Sequence, residues 1–273
     1  CRIVPDDPQT QGEKTTELDE RLLPTPSLAL RQSRAVAREM ADCAVRALNN
    51  ALTALDHNTP ELAQSIRDDE ELCDHYEDIL GTYLVKLSTQ KMGRDESEEA
   101  TELLKTIGDF ERIGDYAVNI MEKSEELYEK EASFSDHAKE QLKLLTSAME
   151  RILDLTNDAF ENDDLTLARQ VEPLEEVIDI MVEKLRDQHI KRLKDGICSI
   201  DTGVVFLDVL NNAERISDHC SNIAARLVGM SEGDDYDSHT LKSLMHHNPT
   251  KDYSLHYEQC CKEYLVPLEA MEA

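Results

Sequence analysis

Two stretches of this chain carry the same polar residues in the same order, and both could hold a metal ion. They are FERIGDYAVNI (Phe110–Ile120) and AERISDHCSNI (Ala213–Ile223), which share Glu, Arg, Ile, Asp, Asn and Ile at identical spacing. In each stretch a glutamate precedes an aspartate by four residues, which places both carboxylates on one face of a helix, one turn apart. Carboxylate oxygens are hard ligands, suited to Mg²⁺, Ca²⁺, Mn²⁺ or iron.

A second repeat supplies further carboxylates. The stretch SIRDDEELCDHYEDIL (Ser65–Leu80) aligns with QVEPLEEVIDIMVEKL (Gln170–Leu185), so each half offers Glu-Glu-x-x-Asp on the preceding helix. If these helices are neighbours, four carboxylates converge in each half, and they repel one another unless a cation lies among them. The candidate ligands are Glu70, Asp74, Glu111 and Asp115 (the first carboxylate set) and Glu175, Asp179, Glu214 and Asp218 (the second carboxylate set).

Other polar residues of the two strings are auxiliary candidates. His219 directly follows the second motif aspartate and could add a nitrogen ligand, whereas Tyr116 occupies that place in the first string. The remaining auxiliary positions are Arg112, Asn119, Arg215 and Asn222. A structural alternative stays open, in which Arg112 and Arg215 pair with an acidic helix face. Acid pairs at this spacing arise by chance in so acidic a chain. The metal site is favoured over the ion-paired helix face because the same acid pairs recur on two helices in both halves.

The composition indicates an all-helical protein and excludes some partners. The 273 residues include 58 acidic and 29 basic side chains, for a net charge of −29, with 4% aromatic residues and no Trp. Leu, Ala, Glu and Arg are strong helix formers. A field of this sign repels nucleic acids and anionic membrane surfaces, so we expect no nucleic-acid partner. Any anion that binds here needs a cation as intermediary.

The sequence contains few signs of other chemistry. Seven cysteines, an odd number without Cys-x-x-Cys spacing, favour free thiols in a reducing compartment. No apolar run is long enough to span a bilayer. There is no Gly-rich phosphate loop, no nucleophile elbow and no Glu-x-x-His of a ferritin-like di-iron site. These observations predict a protein that is not an enzyme, and a metal-dependent phosphohydrolase is the weaker alternative.

Apolar periodicity and capping residues predict six long helices in two repeats. Thr59 and Ser135 are typical N-caps, Gly196 and Gly229 are typical C-terminal glycines, and Pro173 predicts a helix start or a kink. The predicted architecture is all-α, with two tandem three-helix bundles related by internal duplication. The predicted segments are a linker or leader (1–28), a first bundle (29–132), a second bundle (133–231) and an acidic loop with short tail helices (232–273).

At the repeated strings the sequence resembles the PhoU family. ERIGDYAVNI and ERISDHCSNI match the signature on the third helix of each repeat in that family, and EELCD and LEEVID match its second-helix motif. The resemblance extends over about 28–230 and implies a six-helix, two-repeat bundle. It also implies multinuclear metal binding at the first and second carboxylate sets, with iron, manganese, magnesium or zinc as the ion. Tyr116 and Ser217 depart from the His and Gly often found at those positions.

The resemblance further implies a regulatory role in phosphate uptake. The stretch LDERLLPTPSLAL resembles the junction after the membrane domain of sodium/phosphate cotransporters that carry a PhoU-like C-terminal domain. We therefore expect a cytoplasmic regulatory domain of such a transporter, whose partner is the membrane domain or a regulatory protein. The alternative is a stand-alone PhoU-type regulator of phosphate signalling. A homodimer is left open, as is whether phosphate binds directly or is sensed through a partner.

Overall fold

A computed structural model describes residues 18–232 and 250–271, and the regular structure in these two ranges is helical. Parts of the predicted leader (1–17) and of the predicted acidic loop with His246 and His247 (233–249) lie outside the described residues. A 3₁₀ turn (Glu20–Leu22) precedes six long helices: α1 (Pro26–Ala54), α2 (Pro60–Ser88), α3 (Arg94–Glu129), α4 (Asp136–Asn162), α5 (Leu165–Lys194) and α6 (Ile200–Glu232). The tail comprises α7 (Lys251–Cys260), a π-helical turn (Cys261–Leu265) and α8 (Val266–Ala270).

Several helix ends follow directly from the local sequence. The Thr59 hydroxyl accepts a hydrogen bond from the Leu62 amide at 3.2 Å, and the Ser135 hydroxyl accepts one from Ala138 at 3.2 Å. Both are N-caps, as predicted. Gly196 has φ +70°, the left-handed conformation that ends helices, and it terminates α5. These three predictions are confirmed.

One predicted boundary is wrong by a few residues, and another helix start is fixed by a cap. Helix α3 begins at Arg94, where the Glu96 carboxylate accepts a hydrogen bond from the Gly93 amide. Helix α6 continues past Gly229 to Glu232. Gly229 is buried within the helix and does not act as a cap there. Pro173 lies inside α5, which is continuous around it.

The six long helices form two groups of three, as the sequence predicts. Helices α1, α2 and α3 pack on one another, α4, α5 and α6 do the same, and the two groups meet where α3 packs on α6 and α1 on α4. Fully buried residues such as Met40, Ile113, Leu145 and Ile216 lie at the cores of these groups. Within the described ranges, no helix is long and apolar enough to cross a bilayer.

Helices α3 and α6, which carry the two repeated strings, run antiparallel across the junction of the halves. Lys123 in the last part of α3 lies 3.0 Å from Asp208 in the first part of α6. Conversely, Arg226 near the end of α6 contacts Glu102, early in α3, at 3.6 Å. Lys123 and Arg226 each lie eight residues beyond their motif aspartate, so these two basic residues occupy equivalent positions of the internal repeat, whereas their acidic partners do not.

A buried carboxylate joins the two helices at this crossing. The side chain of Asp109 is 9% exposed and forms an ion pair with Arg226, whose side chain is 12% exposed. The second oxygen of Asp109 lies 2.7 Å from His219 Nδ1. The ring of His219 lies beside that of Tyr116, with centroids 5.8 Å apart. Since buried charges are tolerated only when paired, Asp109 specifies how α3 and α6 fit together.

We expect Asp109→Ala to lower the free energy of unfolding by about 3 kcal/mol, because it removes the closer of the two carboxylates that contact the nearly buried guanidinium of Arg226. The matched control is Asp208→Ala, whose partner Lys123 is about a third exposed, and its cost should stay below about 1 kcal/mol. Urea unfolding of both variants measures the difference. Equal losses in the two variants would contradict a special role for Asp109.

Candidate metal centre

Three carboxylates of the first set converge in the structure. Glu70 and Asp74 on α2 and Asp115 on α3 each offer an oxygen, and these atoms all lie within 4.8 Å of one another. Asp74 is exposed and the other two are half-buried, so the group faces solvent. Within residues 18–232 and 250–271, no other group of three or more His, Cys, Asp or Glu side chains brings its ligand atoms this close together.

Close packing of α2 on α3 brings these side chains together. Gly114 precedes Asp115, and a methyl group at Gly114 would come within 3.6 Å of the Cys73 sulfur and within 3.9 Å of Glu70. Cys73 is fully buried between the helices. These are ordinary van der Waals distances, so α2 and α3 pack closely beside the carboxylates, and an alanine at position 114 would also fit.

Glu111, the fourth member of the first set, belongs electrostatically to the same group. Burial, the Asp115 carboxylate and the more distant Asp74 raise the pKa of Glu111 to about 7. Burial and neighbouring carboxylates also raise the pKa values of Glu70 and Asp74. Raised pKa values of this kind report negative charges that lack full compensation. A cation among these oxygens would supply that compensation, so the donor set fits a hard metal ion.

Arg112 supplies a partial counter-charge. Its guanidinium contacts Asp115 at 3.1 Å and Glu111 at 3.4 Å. The structural alternative raised by the sequence, ion pairing of the motif acids through Arg112, is therefore present in the first half. However, the Arg112 side chain is 57% exposed, so its pairing is screened by solvent and leaves the pKa of Glu111 raised.

The second carboxylate set is arranged differently. Glu175 on α5 is buried and Asp179 is exposed, while Glu214 and Asp218 on α6 are half-buried. Glu214 accepts a hydrogen bond from Arg186 at 3.0 Å. The structure does not bring these four residues to the spacing seen for the first set.

One substitution between the repeats explains part of this difference. Arg186 on α5 aligns with Gly81 on α2, so the first half has no cation at the position from which Arg186 reaches Glu214. A carboxylate paired with arginine is already compensated and is a poorer partner for a metal ion. The two halves therefore differ in charge balance although their motifs match.

The auxiliary candidates lie around the two sets. Asn119 and Arg215 are exposed, and Asn222 is half-buried. His219 directs Nδ1 to Asp109 of the first half, so that this nitrogen lies in the junction between α3 and α6. Its role as a nitrogen ligand stays a prediction, as does metal binding by either set.

Sequence reasoning missed three residues that shape this region. Asp109 and Arg226 join the motif helices, and Tyr253 of the tail donates a hydrogen bond to Glu176, next to the second set, at 2.7 Å. Asp109 and Arg226 stand outside the repeated strings, and Tyr253 lies about 80 residues from its partner. The amphipathic pattern of the tail was the available signal that it packs on the bundle.

Comparison with known proteins gives consistent matches over the two repeats. The family model described as PhoU domain matches residues 37–124 and 142–227. The phosphate-specific transport system accessory protein PhoU homolog 1 of Thermotoga maritima is 27% identical over 194 residues, which cover 68% of this chain and 80% of the relative. The PhoU homolog of Borreliella burgdorferi is 24% identical over 204 residues, covering 72% of this chain and 90% of the relative.

Solved structures agree with the fold. The crystal structure of PhoU from Pseudomonas aeruginosa superposes with a TM-score of 0.70 at 22% identity, covering 75% of this chain and 97% of the other. The phosphate transport system regulatory protein PhoU from Streptococcus pneumoniae gives a TM-score of 0.66 at 22% identity, covering 78% and 99%. At this level of identity the superpositions establish the shared helical architecture.

We expect Asp115→Asn to stabilise the metal-free protein by about 1 kcal/mol at pH 8, because it removes one charge from a solvent-screened cluster of like charges. The pKa of Glu111 is raised in the folded state, so the repulsion appears as pH rises from 4.5 through about 7. The gain should therefore fade near pH 4.5. Urea unfolding in the presence of chelator, with Glu122→Gln as an exposed control on the same helix, measures this difference. A variant less stable than the parent at pH 8 would show that the Arg112–Asp115 pair outweighs the repulsion.

Proposed function

The chain belongs to the PhoU family, and on that premise we propose that it is a regulator of phosphate transport that acts through metal bound at its carboxylate sets. Its curated relatives carry the name phosphate-specific transport system accessory protein, and a solved relative is called a phosphate transport system regulatory protein. These names describe accessory and regulatory proteins and not enzymes, in agreement with the sequence prediction. They support the stand-alone regulator more than the attached transporter domain.

The convergence of Glu70, Asp74 and Asp115 is the observation that carries the metal part of the proposal. These residues, with Glu111, would hold the ion in the first half, and Glu175, Asp179, Glu214 and Asp218 would hold it in the second. The ligands are oxygens, so iron, manganese and magnesium suit them well, and zinc also accepts carboxylate ligands. When bound, the ion supplies local positive charge on a strongly acidic surface.

Local positive charge explains how such a protein could respond to phosphate. At a net charge of −29 the bare chain repels phosphate, and Arg112 and Arg215 are too few to reverse that field. A metal ion offers open coordination positions to phosphate oxygens, and arginine adds bidentate hydrogen bonds. We therefore infer that any phosphate binding depends on metal. The competing proposal is that the chain senses phosphate only through contact with a partner protein.

Attachment to a sodium/phosphate cotransporter is the second candidate, and it rests on the resemblance of LDERLLPTPSLAL to a transporter junction. The stretch that resembles the transporter junction is docked on the bundle, where the Tyr83 hydroxyl donates a hydrogen bond to the Asp19 carbonyl at 2.9 Å. Lys86 of α2 also pairs with Glu20. In that arrangement the chain would be the cytoplasmic domain and the membrane domain its partner. Membrane spans in the coding sequence upstream would support this candidate, and a stop codon in frame immediately upstream would exclude it.

We expect elemental analysis of protein purified without chelator to find one or more metal ions per chain. Asp115→Asn combined with Asp218→Asn should remove most of that metal, because it neutralises one ligand in each set. A double variant of exposed acids away from both sets, Glu122→Gln with Asp187→Asn, is the control and should retain the metal. Unchanged metal content in the Asp115 and Asp218 variant would place the ions elsewhere.

We further expect calorimetry to detect phosphate binding by the metal-loaded protein and none after treatment with chelator. The physical reason is the sign of the local charge, which only the metal makes positive. Equal phosphate affinity in both forms would exclude the metal as the receptor. Absence of binding in both forms would favour the competing proposal of sensing through a partner.

A further inference from the structure

The turn between α5 and α6 exposes several large apolar side chains. Within 18–232 and 250–271, ten large apolar residues are exposed, and four of them lie between positions 190 and 204. These four are Ile190, Ile197, Ile200 and Val204, of which Ile197 and Ile200 are 67% and 79% exposed. Single exposed apolar residues are common on protein surfaces, whereas a cluster of them marks a contact with another molecule. This segment, residues 189–204, is the α5–α6 tip.

Backbone hydrogen bonds give the α5–α6 tip a defined conformation. The Ile197 amide donates a hydrogen bond to the Arg192 carbonyl at 3.0 Å. The Gly196 amide donates one to the Leu193 carbonyl at 3.1 Å, which completes a Schellman motif. The Ser199 hydroxyl then accepts a hydrogen bond from a backbone amide in the first turn of α6 at 3.2 Å. The end of α5 and the start of α6 are both capped, so the exposed residues between them are held in place.

Buried rings fill the space beneath the α5–α6 tip. The His189 ring stacks on that of Phe206 with centroids 4.8 Å apart, and Phe134 meets Phe206 edge-to-face at 5.9 Å. A methyl group at Gly203 would lie 2.9 Å from His189 Nε2, so the glycine helps α5 and α6 to approach each other here. The exposed apolar residues therefore lie outside a layer that is already filled.

Basic residues accompany the exposed apolar ones. Lys191, Arg192 and Lys194 fall within four consecutive positions, and no other four-residue stretch of the chain contains three basic residues. Against them stand Asp195 and Asp201, so the α5–α6 tip has a net charge of +1 in a chain of −29. Basic residues are favoured near any helix C-terminus by the helix dipole. Their coincidence with exposed aliphatic residues is therefore the informative feature.

Shape and charge decide which partner fits the α5–α6 tip. The tip is the convex end of two helices, each about 10 Å across, and such an end face is smaller than the roughly 800 Å² per partner of a stable protein interface. Contact between the tips of two copies would bring like charges together. A bilayer closes around a protruding turn whatever its area. It accepts aliphatic side chains among its acyl chains while lysines reach the lipid phosphates.

The net charge of the chain opposes an anionic surface only over a short range. Screening limits the interaction of exposed charges to about 8 Å at physiological ionic strength. Helix α5 has 30 residues and is therefore about 45 Å long, so most acidic residues lie outside that range when the tip points at a bilayer. At the same end of the bundle, residues 129–139 contain three acidic and two basic residues, and 55–59 contain one acidic residue. With these segments included, the charge at this end is only −1.

We propose that the α5–α6 tip docks on the surface of an anionic bilayer. Ile197 and Ile200 enter the outer part of the acyl region, and Lys191 and Lys194 pair with lipid phosphates. The contact is shallow, needs no metal and goes beyond the proposed function. Residues 18–25, which pack near the end of α2, then lie at the opposite end of the bundle from the bilayer. That orientation agrees better with the stand-alone regulator than with a membrane segment directly upstream.

The first test is sedimentation of the full chain, in chelator, with vesicles of equal parts phosphatidylcholine and phosphatidylglycerol. The parent chain should sediment with the vesicles, and Ile197→Asp combined with Ile200→Asp should abolish this binding. Val85→Asp with Leu255→Asp is the matched control, because it replaces two exposed apolar residues away from the tip and adds the same charge. The control should bind as the parent does. All four side chains are exposed, so the fold tolerates their replacement.

A second pair of variants tests the contribution of charge. Lys191→Gln with Lys194→Gln should weaken vesicle binding about 25-fold, because each basic residue near an anionic surface contributes about a factor of five. Lys91→Gln with Lys105→Gln removes the same charge from exposed positions far from the tip and should change the affinity little. Vesicles of phosphatidylcholine alone should bind the parent chain more weakly than the mixed vesicles do.

Fluorescence reports whether the tip enters the bilayer. The chain contains no Trp, so a single introduced one gives an unambiguous signal. The emission of Ile200→Trp should shift to shorter wavelengths when mixed vesicles are added, whereas that of Val85→Trp should not. Equal shifts in both variants would overturn the proposal, since insertion would then not be specific to the tip.

The remaining outcomes decide the proposal without involving the metal sites. A parent chain that does not bind mixed vesicles would overturn it and leave the α5–α6 tip to a protein partner. Binding that survives the two Ile→Asp changes would also overturn it, because another surface would then be in contact with lipid. Since every measurement is made in chelator, failure of the metal-dependent function leaves these outcomes unaffected, and the reverse also holds.

Discussion

The antiparallel packing of α3 on α6 is the constraint on which the rest of this molecule depends. Each helix carries one copy of the repeated string, so this packing fixes the relative positions of Glu111 and Asp115 on α3 and of Glu214 and Asp218 on α6. Asp109 determines their fit, because a nearly buried carboxylate is tolerated only with Arg226 and His219 in place. The register of α3 against α6 is therefore set by these charged groups as well as by the shapes of the packed side chains.

That rigid junction allows the first half to hold like charges close together. Burial raises the pKa values of Glu70, Asp74 and Glu111, as does the Asp115 carboxylate beside them, and a flexible chain would let these groups separate. Here α2 and α3 pack on each other around the buried Cys73, and their separation would expose apolar surface to water. The packing of α2 on α3 therefore holds these carboxylates close together in spite of their mutual repulsion.

Much of the fold could be predicted from the sequence because its signals are local. Thr59, Ser135 and Gly196 end helices through contacts with residues a few positions away, and the apolar period marks each core face. The convergence of Glu70, Asp74 and Asp115 could be predicted in part, because the spacing places carboxylates on one face of each helix and the repeat indicates that both helices belong to one bundle. The role of Arg186 could not, because an arginine on a helix surface does not reveal that it will reach Glu214 across the groove. The roles of Tyr253 and Asp109 could not be predicted for a similar reason, since their partners come from distant parts of the chain.

The meeting of Tyr116 with His219 has a consequence for how such a repeat can diverge. In a symmetric homodimer a residue on the two-fold axis faces its own copy, so every substitution there occurs twice and must be self-complementary. Here both copies lie in one chain, and the equivalent positions hold different rings, whose centroids lie 5.8 Å apart with their planes tilted by 32°. Residues at equivalent positions of a repeat within one chain need not be self-complementary, so each can be substituted independently of the other.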